Sequence, residues 1–212
     1  MRVLVVYESI FGNTELIARA VAAGIELGMR TSVETGTETG TDTGTETGLA
    51  AGTGGPARID VVEVGRAPAV VPVDVGLLVV GGPTHAFGMS WPSTRRDAAA
   101  LAPKDGEVLT LRGLSRERGI REWLGDLPGV RANVPIRATT FDTRMSAHLT
   151  GSAAQAAARR LARLGYPIVA APASYRVVDV TGPPADGEQG RARAWGSSLG
   201  VWATARPRTP AS

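Results

Sequence analysis

Residues 3–14 read VLVVYESIFGNT, and the rest of the chain is fitted around this stretch. Val3, Leu4, Val5 and Val6 form a short continuous apolar run, which suits a strand buried on both faces of a parallel sheet. Beyond it, Leu16, Ile17, Ala20, Val21 and Ile25 recur at helical spacing, with Arg19 and Glu26 off that stripe. Ser9, Gly12, Asn13 and Thr14 lie between strand and helix. Backbone N–H groups at a helix N-terminus attract an anion, and a glycine lets the backbone approach it closely. Such a loop can be a plain turn, but hydroxyls on both sides of Gly12 favour a phosphate site.

Composition narrows the alternatives. A chain of 212 residues suits one domain, and 43% hydrophobic residues can bury a core; with 5% aromatic, that core must be mostly aliphatic and alanine. There is no cysteine, which excludes disulfides and thiolate metal sites, and His85 and His148 are the only histidines, too few for a histidine-rich metal site. No apolar run approaches the roughly 20 residues that span a bilayer. The first strand starts at Val3, leaving no room for a cleaved signal segment, so a cytoplasmic protein without membrane contact is expected. The net charge of +3 is carried almost wholly by arginine, Lys104 being the only lysine. Those arginines lack the interleaved aromatics of a single-strand binder, and no nucleic-acid partner is expected.

After the first helix, for which Gly28 is a plausible stop, the pattern collapses. Residues 34–49 read ETGT, ETGT, DTGT, ETGL, followed by alanine, glycine and Pro56. This segment has almost no apolar area to offset its ordering entropy, so residues 34–57 read as a disordered surface insertion. The organisation expected is a single domain over 1–206 with that insertion and a frayed tail at 207–212. Further strands are expected over 59–64, 75–80, 134–141 and 168–180, the last broken near Pro172. Further helices are expected over 92–101, 113–127, 152–164 and 188–202, with Gly165 capping the third of these. Alternating strands and helices give a doubly wound parallel sheet with helices on both faces. Ligands then bind outside the carboxyl ends of the strands, where the loops 8–14, 82–91 and 141–150 emerge. The insertion leaves from the opposite edge.

The first loop has no lysine and no Gly-x-Gly-x-x-Gly, which disfavours nucleoside-triphosphate and dinucleotide loops. No acid–base or nucleophile constellation is visible. Ser9-x-x-Gly12-x-Thr14 after the first strand, Gly82-Pro83-Thr84 after the third, and then Gly151-Ser152, Gly165-Tyr166, Gly182-Pro183-Pro184, Gly187-Glu188 and Trp195-Gly196 together resemble the flavodoxin family. The resemblance covers nearly the whole chain outside 34–57. It implies the five-stranded order 2-1-3-4-5 and non-covalent FMN at the switch point between strands 1 and 3. It places the FMN phosphate on Ser9, Ile10, Phe11, Gly12, Asn13 and Thr14. The ring would lie between Pro83, Thr84, His85, Phe87 and Gly88 on one side and Phe141, Asp142, Thr143 and Arg144 on the other. Two positions depart from the family: Phe11 stands where a threonine is usual, and only Phe141 lies near the place of a stacking tyrosine. Trp91 is a further candidate flanking group, with packing on the next helix as its alternative. Arg144 either sits at the pyrimidine edge of the flavin or pairs with Asp142 on the surface. The implied function is electron carriage between redox partner proteins by a monomer or weak dimer, with no catalytic residue and no metal of its own. Two alternatives stay open: an FMN-dependent NAD(P)H or quinone reductase, and a binding module that has kept the fold and lost the flavin.

Overall fold

A computed structural model describes residues 1–37, 58–85, 88–100, 117–130, 136–145 and 151–205. In chain order the elements are β1 (Arg2–Tyr7), α1 (Asn13–Thr37), β2 (Arg58–Glu63), β3 (Val75–His85), β4 (Gly88–Met89), α2 (Pro92–Ala100), α3 (Ile120–Asp126), β5 (Arg137–Met145), α4 (Ala153–Arg163), β6 (Ala173–Val177) and α5 (Glu188–Thr204). The sheet runs β2-β1-β3-β5-β6, every pair parallel, and β4 folds back antiparallel on the end of β3. With the two-residue β4 set aside, this is the doubly wound order expected from the sequence. The apolar run of β1 lies between β2 and β3, Val5 facing Val61 on one side and Val79 on the other.

The strands nearest the ligand edge run further than their apolar patterns suggest. Gly82, Pro83, Thr84 and His85 belong to β3 rather than to a loop, and β5 begins at Arg137 and continues through Phe141 to Met145. Mutual pairing explains both extensions: Gly81 faces Phe141, Gly82 faces Asp142 and Pro83 faces Thr143. The last strand is broken near Pro172 as expected, with Ile168 bridging Ala138 before β6 begins. Gly165 adopts the left-handed conformation, φ 89°, at the end of α4.

The sheet carries a core on each face. One packs Val3, Val5, Leu77, Val79, Phe141 and Tyr175 under α1 and α5. The other packs Leu4, Val6, Leu78, Val80 and Ala138 under Trp123 and Leu124 of α3 and Ala157 and Leu161 of α4. Gly28 does not stop α1, which continues to Thr37, into the first Glu-Thr-Gly-Thr unit. The reason lies in α5. A Cβ on Gly24 would stand 2.0 Å from the Arg193 carbonyl oxygen, one on Gly28 2.0 Å from that of Ser197, and one on Gly196 2.2 Å from that of Val21. These glycines are contact points where two helix backbones meet. The remainder of the expected insertion, residues 38–57, and the tail at 207–212 lie outside the described residues.

Candidate functional site

The loop after β1 closes on itself before α1 starts. The Gly12 backbone N–H donates to Ser9 Oγ at 3.0 Å, and the Gly12 carbonyl accepts the Leu16 N–H at 3.0 Å, opening the helix. Gly12 has φ 89°, a left-handed conformation that favours glycine, and its Cβ direction is open space. The loop is tied to β5 by a 2.7 Å hydrogen bond between the buried hydroxyls of Thr14 and Thr143. Beside it lies a cavity of about 440 Å³ at the carboxyl ends of β1, β3 and β5.

The cavity brings together Ser9, Ile10, Phe11, Asn13, Thr14, Pro83, Thr84, His85, Thr143 and Arg144, all from the three stretches singled out in the sequence. Phe11 does not dangle where a hydroxyl is usual. It is buried with Ile10 against Ala98 of α2, so the β1–α1 end of the cavity gains an apolar wall. Burial, and then the nearby Arg95 cation, lower the affinity of His85 for a proton, which keeps it neutral at pH 7. Thr84 Oγ1 donates to Asp142 at 2.9 Å and accepts the Ala153 N–H at 2.9 Å, which pins the end of β3 to α4.

Four expected residues are not cavity walls. Phe141 is fully buried, edge-on to Tyr175 and Trp195 at 6.2 and 6.5 Å, and its ring tip lies 2.0 Å from where a Gly81 Cβ would be. A strand alternates its side chains between faces, and at Phe141 the side chain falls to the α1–α5 core, so it cannot stack on a ligand. Asp142 is also fully buried. Its carboxylate accepts hydrogen bonds from Thr84, Ser152 and the Ala154 N–H, anchoring the N-terminus of α4. It is therefore no surface partner for Arg144, which lines the cavity. Gly88 sits in β4 opposite His85, and Gly12 shapes the loop without lining the cavity. Phe87 lies outside the described residues. Trp91 is exposed, with the Arg121 guanidinium 3.8 Å over its ring, and is not a wall either.

Sequence reasoning missed Thr94, Asp97 and Ala98 on α2 and the aliphatic side formed by Met145, Val177 and Val180. It also missed a buried polar cluster behind the loop. Glu8 is fully buried; it accepts a hydrogen bond from Ser90 Oγ through one oxygen and from the Ile120 N–H, at 2.9 Å, through the other. Arg95, also fully buried, donates to Ser90 Oγ at 2.9 Å and pairs with Glu122 at 3.0 Å. Burial pushes the Glu8 carboxyl up to about 7; the two hydrogen bonds and Arg95 pull against that rise, and Glu122 adds to it. The one sequence signal for this was an acid two residues past the end of the four-residue apolar run Val3–Val6, after Tyr7, a place where a carboxylate has little access to water.

No family model and no curated protein matches the sequence. Solved structures do match. A flavodoxin from the domain Archaea aligns over 96% of this chain and 99% of its own, at 13% identity and a TM-score of 0.52. Flavodoxin 1 from Bacillus cereus aligns over 94% and 97%, at 15% identity and a TM-score of 0.51. The chain has a flavodoxin-like fold. The rubredoxin oxygen:oxidoreductase of Desulfovibrio gigas aligns over 97% of this chain, at 13% identity and a TM-score of 0.50, but this chain spans only 37% of that protein. Identities this low carry the flavodoxin-like architecture and leave the ligand to the cavity itself. Among the described residues, no cluster of acids and histidines could hold a metal ion, and no helix is long and apolar enough to cross a membrane.

Proposed function

We propose that this chain binds FMN in the cavity, with the phosphate on residues 9–14, and carries electrons between partner proteins. The observation that supports it most is the construction of one end of the cavity. Left-handed Gly12 leads into the N-terminus of α1, and Ser9, Thr14 and Thr143 bring hydroxyls to the same place. The Thr14 and Thr143 hydroxyls have two protons and spend one on each other, so one remains to donate to an anion. The donor set thus fits a phosphate: helix-terminal backbone N–H groups with hydroxyls and no carboxylate among residues 9–14. The other walls, Ile10, Phe11, Met145, Val177 and Val180, fit a flat apolar ring, and Arg144 brings positive charge beside it.

FMN, when bound, supplies the redox chemistry, while the chain binds, orients and tunes it. Pro83, Thr84 and His85 form the strand-end wall, and Arg144 favours any negative charge that develops on the ring. The test is the absorption spectrum of the purified chain after incubation with FMN and removal of excess. A stoichiometric flavin spectrum supports the reading, and a colourless protein overturns it. Bleaching by NAD(P)H without an added reductase would instead make the chain a reductase.

A further inference from the structure

Glu8 directly precedes Ser9, the first wall residue of the cavity, yet it faces the other way. Its backbone N–H continues the β1–β3 pairing by donating to Gly81 O at 2.9 Å. Its side chain is enclosed by Ser90, Gly119 and Ile120. The enclosure is tight: a Cβ on Gly119 would lie 2.4 Å from Arg95 Nη1, 2.7 Å from Glu8 Oε2 and 2.9 Å from Ser90 Oγ. The carboxyl therefore joins three separate pieces of chain: the β1–α1 loop, which lines the cavity; the turn from β4 into α2, the helix that also lines it; and the start of α3 behind them.

We propose that Glu8 is a proton-gated positioning residue, whose protonation sets how firmly the cavity's β1–α1 loop is clasped to Ser90 and to the first turn of α3. With its proton on, Glu8 can donate to Ser90 Oγ while its other oxygen still accepts the Ile120 N–H, and the carboxyl itself carries no charge away from water; Arg95 keeps its ion pair with Glu122. With its proton off, the carboxylate is held away from water, and any opening that hydrates it becomes more favourable. The charged groups facing it are Arg95 on α2 and Arg121 and Glu122 on α3; His85 on β3 senses the same Arg95. Arg121 also grips this junction from outside, donating to the backbone carbonyls of Met89 and Ser90.

A consequence for the ligand rests on the FMN reading above. A phosphate on one side of the loop and an ionised Glu8 on the other repel each other. A protonated Glu8 then strengthens FMN binding, and by reciprocity FMN strengthens proton binding at Glu8.

The experiment follows the Ile120 amide by NMR from about pH 5.5 to about pH 8.5, a window centred on the Glu8 midpoint of about 7. Hydrogen exchange of the loop amides is measured across the same window, in the native chain and in Glu8→Gln, a neutral isostere. The Ile120 amide should titrate near neutrality in the native chain and stay flat in Glu8→Gln. Loop exchange should accelerate with pH beyond the intrinsic rate only in the native chain. Ser90→Ala keeps the carboxyl and removes a hydrogen bond that favours its ionised form, so the midpoint should move upward; this arm decides the matter if Glu8→Gln fails to fold. An Ile120 amide that does not titrate, or loop exchange that ignores the titration, overturns the proposal. In the ligand arm, the ratio of native to Glu8→Gln FMN dissociation constants should rise by about fivefold from pH 6 to pH 8. The ratio cancels titration of the phosphate itself. A flat ratio with FMN bound would confine the clasp to the apo chain and overturn its link to the ligand. FMN that binds neither protein would sink the cofactor reading, while the amide titration still decides the clasp.

Discussion

On one face of the sheet α1 and α5 meet backbone to backbone through Gly24, Gly28, Gly196 and Gly200. On the other, α3 and α4 are held off by Trp123, Leu124 and Leu161, and polar groups are sealed in where α2 meets α3. The first face gains its contact by having no side chain, the second by filling space with large ones and by pairing buried charge. The two should therefore fail in opposite ways: adding atoms breaks one, and removing atoms or moving protons breaks the other.

The largest effect is expected on the filled face. Trp123 is fully buried, and its indole N–H donates to the Pro68 carbonyl at 2.9 Å. Trp123→Ala should cost about 3–5 kcal/mol of unfolding free energy, read from denaturant midpoints. A loss under 1 kcal/mol would mean that α3 is not seated as described.

Next comes the buried acid. Glu8 has its folded-state midpoint raised to about 7 from an ordinary 4.5, so the stability it contributes is complete below about pH 4.5 and lost as pH rises towards 7. A shift of that size corresponds to about 3 kcal/mol between the two limits. Glu8→Gln should remove this part of the slope, so the native and variant stability curves should diverge across that interval. Parallel curves would show that Glu8 ionises as an ordinary carboxylate.

The glycine face should respond to a single methyl. Gly24→Ala puts a Cβ 2.0 Å from a backbone carbonyl that cannot swing aside, and overpacking of this kind costs about 1–3 kcal/mol. On an open helix the same change would help, since alanine is the better helix former. A neutral or stabilising Gly24→Ala would thus refute the close crossing. The smallest effect tests the edge of the filled face. Ser152 caps α4, accepting the Gln155 N–H at 3.1 Å, and it also donates to Asp142. Ser152→Ala should cost about 1 kcal/mol, the usual worth of an N-cap.

The same contrast explains what could be read from the sequence. The positions of the strands and of the loops at the cavity edge follow from apolar runs and turn residues, because these are local patterns, whereas the strand order and most of the cavity walls came as implications of the resemblance to flavodoxins. Gly28 misled because a glycine near a helix end reads as a stop when only its own helix is in view. The partner glycines at 196 and 200, four apart like 24 and 28, carry the signal that two helices touch. Phe141 misled for a related reason: aromatic character was legible, but its face of β5 depended on a register that pairing with β3 sets. Glu8, the Ser90–Arg95 stretch and Glu122 are far apart along the chain, and nothing in a single sequence joins them. Val177 and Val180 became walls only because the segment after β6 returns across the loop, with the Gly182 backbone against the Asn13 side chain.

The central claim is that the Gly12 loop holds a phosphate, and paired titrations of FMN and riboflavin test it most directly. Ser9→Asp and Thr14→Glu each replace a hydroxyl with a negative charge at the loop. Hydrogen bonds to a charged group are worth about 1.5–3 kcal/mol, so FMN affinity should fall at least about tenfold in each variant. Riboflavin has the same ring without the phosphate, and its affinity should change far less. Equal losses for the two ligands would show that the loop matters only for the shape of the site, and unchanged FMN affinity would contradict phosphate binding there altogether.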